Sequence, residues 1–224
     1  MQVVNAAVLD RWSALSDEDV AAQVLDGQTA LFEILMRRHN ERVYRAARAI
    51  LRDDAEAEDV MQQAYVNAYA HLRQFDRRAR FSTWLTRIAV NEAIARRRRR
   101  AIHAPLDIND SAVDEQMSLM RSGPSPEKEA FSHELRALVE SAVDQLPDGS
   151  REVFVLREVE GMSTAETATC LGVSEDVVKT RLSRARAMLR RDLSERAGLA
   201  AAHTFTFARP RCDRVVAAVL QRIS

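Results

Sequence analysis

Between Met61 and Leu72 the apolar residues Met61, Ala64, Tyr65, Ala68, Tyr69 and Leu72 fall at i, i+3, i+4, i+7, i+8 and i+11. Only an α-helix gathers that spacing onto one face; a strand would scatter it across two. A face this apolar has to meet a core. The same period recurs in broken form at Leu31, Leu35, Val43, Ala46, Ala47 and Ile50. It returns at Phe131, Leu135, Leu138 and Ala142, and more cleanly at Val178, Leu182, Ala185 and Leu189. With six Gly and five Pro in 224 residues, little in the chain interrupts helices. The expected fold class is all-α: two helical domains joined by a flexible acidic linker, the second a helix-turn-helix domain, plus a C-terminal amphipathic helix.

Turn residues and charge mark the boundaries. Pro105, Asn109-Asp110-Ser111 and Ser122-Gly123-Pro124-Ser125-Pro126 make residues 101–126 a linker. One domain then spans 16–100 and a second 127–195, with an N-terminal extension at 1–15 and a C-terminal one at 196–224. From Arg73 to Arg100, ten arginines outnumber Asp76 and Glu92. From Ser174 to Arg191, six basic residues outnumber Glu175 and Asp176, while acids dominate Asp107 to Glu129. The formal net charge is zero, so any affinity for a polyanion has to be local. Two separated phosphate-binding surfaces are the natural reading.

In the second domain, Ser163 and Glu166 form a capping box that opens a short helix through Cys170-Leu171. Gly172 supplies a turn, and Ser174 caps a longer helix. With the stripe Val178, Leu182, Ala185 and Leu189 buried, Lys179, Ser183, Arg186 and Arg190 point outward, beside Thr180, Arg184 and Arg191. That is a helix-turn-helix with a basic face suited to the major groove.

In the first domain, a helix of about 55–73 is followed by another after Phe81, with Ser82 as its N-cap. On that second helix Trp84, Ile88 and Asn91 share a face, with Arg87 at its edge and Phe75 and Phe81 near. Aromatic faces beside cations hold unstacked bases, and an Asn reads a base edge. Burial of one or more of these aromatics in a core is the other reading. Arg96, Arg97 and Arg98, in a run reaching Arg100, are either phosphate ligands or a solvated helix end; Arg190 is a further phosphate candidate. Asp59, Gln62, Gln63 and Val66 occupy the polar side of the preceding helix, and spacing alone makes that a solvent-facing surface.

Glu58-Asp59-Val60-Met61-Gln62-Gln63-Ala64-Tyr65, then Phe81-Ser82-Thr83-Trp84-Leu85-Thr86-Arg87-Ile88-Ala89-Val90-Asn91, resemble the second conserved domain of bacterial extracytoplasmic-function sigma factors. Leu146-Pro147 through Gly161-Met162-Ser163, with Val177-Val178-Lys179-Thr180-Arg181-Leu182-Ser183-Arg184-Ala185-Arg186, resemble their fourth. The resemblance implies a dissociable, non-enzymatic subunit that brings RNA polymerase to promoters. It implies that Asp59, Gln62 and Gln63, with Val66 beside them, dock on the coiled coil of the largest subunit of core polymerase, whose second-largest subunit is a further implied partner. Phase-specific DNA roles follow as well: Phe75, Phe81, Trp84, Arg87 and Asn91 for melting and reading the −10 element; Lys179, Thr180, Ser183, Arg184 and Arg186 for the −35 groove. The partners implied are core polymerase, promoter DNA and an anti-sigma inhibitor, with no cofactor. Ser183 and Gln63 depart from residues common in relatives, an aromatic and a Glu respectively.

Two readings compete. A response regulator would need an α/β receiver domain, which the helical first half does not supply. A site-specific recombinase would need an activated nucleophile, and Ser82 and Ser183 have no basic and acidic helpers. His203, Cys212 and Cys170 lack a metal spacing. Without an apolar run of about 20 residues or a secretion-type N-terminus, and with two cysteines, a cytoplasmic location is expected. In the tail, Val215, Val216, Val219, Leu220 and Ile223 fit an amphipathic helix.

Overall fold

The computed structural model describes residues 14–103, 126–202 and 214, with side chains over 14–102, 134–196 and 214. The acidic linker from residue 104, the residues before 14, and the amphipathic stretch 215–223 lie outside the described residues. Every described element is helical. The first domain comprises α1 (Asp17–Leu25), a 3₁₀ turn (Thr29–Leu31), α2 (Phe32–Leu51), α3 (Asp54–Ala70), a second 3₁₀ turn (Leu72–Gln74) and α4 (Phe81–His103). The second comprises α5 (Pro126–Asp144), α6 (Asp148–Phe154) continued by a π-helical turn (Val155–Val159), α7 (Thr164–Leu171) and α8 (Glu175–Ala202).

Local chemistry sets the boundaries. Ser16 and Asp53 accept from the amides of Asp19 and Glu56, capping α1 and α3. Arg52 enters the left-handed region at φ 59° and stops α2. Ser82 is not the N-cap of α4: the helix begins one residue earlier, at Phe81. The carbonyl of Ser82 instead accepts the Thr86 hydroxyl within the helix, at 2.7 Å.

α2, α3 and α4 pack on one another around Leu35, Val43, Ala64, Tyr65, Ala68, Leu72, Phe81, Leu85 and Ala89. The expected α3 stripe is buried at Ala64, Tyr65, Ala68 and Leu72, but Tyr69 is 44% exposed and its hydroxyl meets Thr29. The face turns toward Ala57 and Val60 because α3 leans on both α2 and α4. In the second domain Ala142, Leu146, Ala185 and Leu189 form one small core, and Val153, Ala168, Val178 and Leu182 a second. Leu135 is 52% exposed rather than buried; among the described side chains, the core shared with α8 takes Ala142, Val143 and Leu146 from the C-terminal end of α5 and the turn after it.

The two domains touch. Ala46, Ala47, Ile50, Leu51, Ala57, Val60, Val90 and Ala93 from the first form one buried cluster with Leu156, Met162 and Cys170 from the second. α2 rests on α6, and α4 on α7.

Candidate nucleic-acid interface

The 75–80 loop is pinned from behind. Arg77, at φ 60°, donates to the carbonyl of Glu18 at 3.2 Å, and the Arg78 amide donates to Asp76 at 3.1 Å. α1 is itself held by Asp17, whose carboxylate accepts from Arg38 and bonds His39, each at 2.8 Å. Burial works against ionisation of that carboxyl, but the two bonds outweigh it and its pKa falls below the ordinary value.

Phe75 stands edge-on to Phe81, with centroids 5.5 Å apart at 87°, and lies 5.4 Å from Trp84. Phe81 is fully buried. It therefore cannot offer a face to a base, and the expectation that it contacts DNA is corrected: it is the floor on which Phe75 and Trp84 rest. Trp84, Ile88 and Asn91 do come together, lining a concavity of about 390 Å³ with Asn67, His71, Gln74 and Glu92. The sequence reading missed the Asn67, His71 and Gln74 wall. Asn67 and His71 are one helical turn apart, but only the 3₁₀ turn after Ala70 brings Gln74 beside them. Arg87 is exposed on another side of α4, close enough to Cys170 to act on its thiol electrostatically.

Asp59, Gln62, Gln63 and Val66 line a second, wider groove of about 620 Å³ with Val60, Glu92, Arg96 and Arg99. Val66 is 62% exposed, unusual for a side chain with no polar group. Asp59 accepts from Arg96 at 2.9 Å. Arg97 is paired with the buried carboxylate of Glu152 in the second domain. Among the three, Arg98 alone is exposed without an ion pair among the described residues.

The helix-turn-helix is built as its caps dictate. Ser163 and Glu166 form a reciprocal capping box, and Gly172 ends α7 at φ 64°. The pKa of Glu166 is lowered, first by the Ser163 backbone amide, against some burial, and further by the Ser163 and Thr83 hydroxyls. Val178, Leu182, Ala185 and Leu189 are buried, leaving Lys179, Thr180, Ser183, Arg184, Arg186 and Arg190 exposed. Lys179 pairs with Asp176 at 3.1 Å and Arg186 with Glu158 at 2.7 Å. Arg190 donates to the Arg186 carbonyl at 3.3 Å. No group of three metal-ligating side chains occurs among the described residues, and no described helix is long and apolar enough to cross a membrane.

A pocket floored by aromatics and a helix-turn-helix have thus been built on one helical chain, and known proteins resemble the two stretches that carry them. Residues 35–102 match the family model for sigma-70 region 2, and residues 136–189 that for sigma-70 region 4. The ECF RNA polymerase sigma factor SigW of Bacillus subtilis is 31% identical over 77% of this chain and 94% of its own length. This chain belongs to the extracytoplasmic-function sigma factors. The sigma factor CnrH of Cupriavidus metallidurans is 34% identical over 78% of this chain and 92% of its own. The solved structure of CnrH, in complex with the cytosolic domain of CnrY, superposes with a TM-score of 0.54 at 32% identity over 80% of this sigma factor and 97% of that chain. The sigma factor RpoE of Bartonella quintana, solved with the anti-sigma factor NepR, shares the fold at a TM-score of 0.56 and 22% identity, over 73% of this chain and 96% of that one. Family and all-α fold thus agree with the sequence reading. No strand occurs among the described residues, which removes the receiver domain a response regulator requires.

Proposed function

We propose that this sigma factor is a dissociable initiation subunit that carries core RNA polymerase to promoters, its second domain reading the −35 duplex and its first trapping an unpaired −10 base. The observation that carries this is the pocket of Trp84, Ile88 and Asn91 resting on Phe75 and buried Phe81. Flipping a base costs a few kcal/mol, and stacking it on an aromatic returns about 1–3 kcal/mol. One pocket therefore roughly balances one flip, with Asn91 choosing the base and Arg87 and Arg98 within the electrostatic reach of a phosphate backbone.

On the other domain, Lys179, Thr180, Ser183 and Arg184 address base edges, while Arg186 and Arg190 hold the phosphates. The groove of Asp59, Gln62, Gln63 and Val66 is the polymerase-docking surface, with exposed Val66 as its apolar contact. An anti-sigma inhibitor is the further partner, and likeness to CnrH, solved in complex with the cytosolic domain of CnrY, supports a protein partner for this factor. Residues 16–100 act as the −10 and docking domain, 101–126 as the tether and 127–195 as the −35 domain.

Run-off transcription decides the matter. Core polymerase with this chain should yield start-site-selective RNA from a template carrying cognate elements. Neither component alone should do so, and failure on every template of a promoter library would refute the reading.

A further inference from the structure

Residues 75–80 join the second 3₁₀ turn to α4, and the aromatic pocket depends on both ends of that loop. Gln74, just before the loop, and Trp84, just after it, line the same concavity, and Phe75 lies 5.4 Å from Trp84. The loop is not one the backbone adopts for its own sake. Arg77 takes φ 60°, a left-handed conformation disfavoured for a side chain with a Cβ, and such a conformation persists only where the surroundings fix it. Within the loop, the Asp76 carboxylate accepts the Arg78 amide at 3.1 Å and pairs with the Arg78 guanidinium at 3.0 Å.

From outside the loop, one residue of α1 reaches both the strained position and the helix start. The Arg77 guanidinium donates to the Glu18 carbonyl at 3.2 Å, and the Phe81 amide donates to the Glu18 carboxylate at 3.4 Å. That amide belongs to the first turn of α4, whose donors have no partner inside the helix, and a carboxylate there also suits the positive end of the helix dipole. α1 can act as a bracket because it is itself fixed. Val20, Ala21 and Val24 are buried in the first-domain core, and Asp17 bonds Arg38 and His39 of α2 at 2.8 Å each. α1 also precedes the stretch 35–102 that matches region 2, so this hold comes from outside the segment that matches the family model.

We propose that Glu18 is a positioning residue for base capture: it brackets the 75–80 loop so that Gln74, Phe75 and Trp84 already surround the pocket before a base arrives. The role rests on the proposed −10 function for its purpose, whereas the bracket is measurable in the free protein.

The chain has two tryptophans, so a Trp12→Phe background leaves Trp84 as the sole indole reporter. In that background Glu18→Ala should raise acrylamide quenching of Trp84 in the free protein about twofold, with far-UV circular dichroism unchanged, because a loosened loop uncovers the ring. Arg77→Ala, on an exposed loop, should act in the same direction and keeps the test available if Glu18→Ala fails to fold. With core polymerase, Glu18→Ala should lower discrimination between the cognate −10 element and its single-base variants about three- to tenfold, the effect expected of one lost hydrogen bond. Glu18→Gln keeps an acceptor oxygen at the same reach and should restore most of that discrimination. Discrimination among −35 variants and association with polymerase in a pull-down should not move; a general loss of α1 packing would depress them as well.

Trp84 quenching that stays at the unsubstituted value in both Glu18→Ala and Arg77→Ala overturns the bracket. Transcription that is unchanged, or lowered by the same factor on every −10 variant, overturns the positioning role, and so does a Glu18→Gln protein as defective as Glu18→Ala. If Glu18→Ala loosens Trp84 but the unsubstituted factor yields no start-site-selective RNA on any template, the proposed function fails instead and the bracket stands.

Discussion

Asn91 shows how much a single side chain can be asked to do when its neighbours are fixed. It lines the aromatic pocket, exposed, with no side-chain hydrogen bond to lose among the described residues. Asn91→Ala should therefore weaken selection among −10 variants by about 1–3 kcal/mol, the value of one paired readout of a base edge. Association with core polymerase should stay unchanged in a pull-down, and lost association would reassign Asn91 to the docking surface or the fold. Lys179 and Arg184 make the parallel case on α8. Lys179 holds only an exposed pair with Asp176, worth about 0–1 kcal/mol, so the ammonium is free to trade it for a base. Lys179→Ala or Arg184→Ala should cost about 1–3 kcal/mol at one −35 position. Run-off assays across single-base −35 variants check this, and an unaltered preference profile in both proteins would remove the pair from base readout. Phe81 marks the limit of reading residues one at a time. An aromatic beside arginines suits a stacking platform or a core equally, and only the packing of α1 and α2 behind it assigns Phe81 to the core.

At the scale of elements, what was legible in the sequence was what depends on neighbours three or four residues away. The Ser163/Glu166 box, the Gly172 stop and the α8 stripe are all local, and all form as their spacing demands. Leu135 misleads because its periodicity is helical, yet it is 52% exposed, and the core shared with α8 draws on Ala142, Val143 and Leu146 further along. The arginines of α2 could not be assigned at all, since Arg42, Arg45 and Arg48 find partners about a hundred positions away. α7 carries a measurable consequence of its cap. Glu166 has a folded pKa below its ordinary 4.5, so its contribution is fully present above that value and is lost as pH falls through the depressed one. Thermal melts should show a steeper loss of stability below about pH 4.5 in the unsubstituted protein than in Glu166→Gln. Parallel pH profiles would contradict the cap. Ser163→Ala removes the reciprocal bond and should cost about 0.5–2 kcal/mol near neutrality, read as a lowered melting temperature.

The whole molecule poses a problem of geometry rather than of affinity. Its charge sums to zero, yet two basic surfaces lie on separate domains, so neither gains from a global field. Tethering two binding modules multiplies affinity only when both can engage at once. With α4 against α7 they cannot. Treated as a coil, a chain the length of the stretch between His103 and Pro126, about 22 residues, would average about 23–28 Å end to end, against the roughly 70 Å between elements; fully extended it would reach about 73–79 Å. The tether therefore permits the span without favouring it, and a scaffold has to hold it drawn out. For the free sigma factor, fluorescence anisotropy should find full-promoter duplex and −35-only duplex bound within about twofold of one another, because avidity is absent when simultaneous engagement is blocked. Core polymerase should separate the two by at least about a hundredfold, the lower end of what two linked sites provide. A free protein that already prefers the full promoter by that margin would mean that the two domains part and span the DNA unaided, and the division of labour between this chain and polymerase would have to be redrawn.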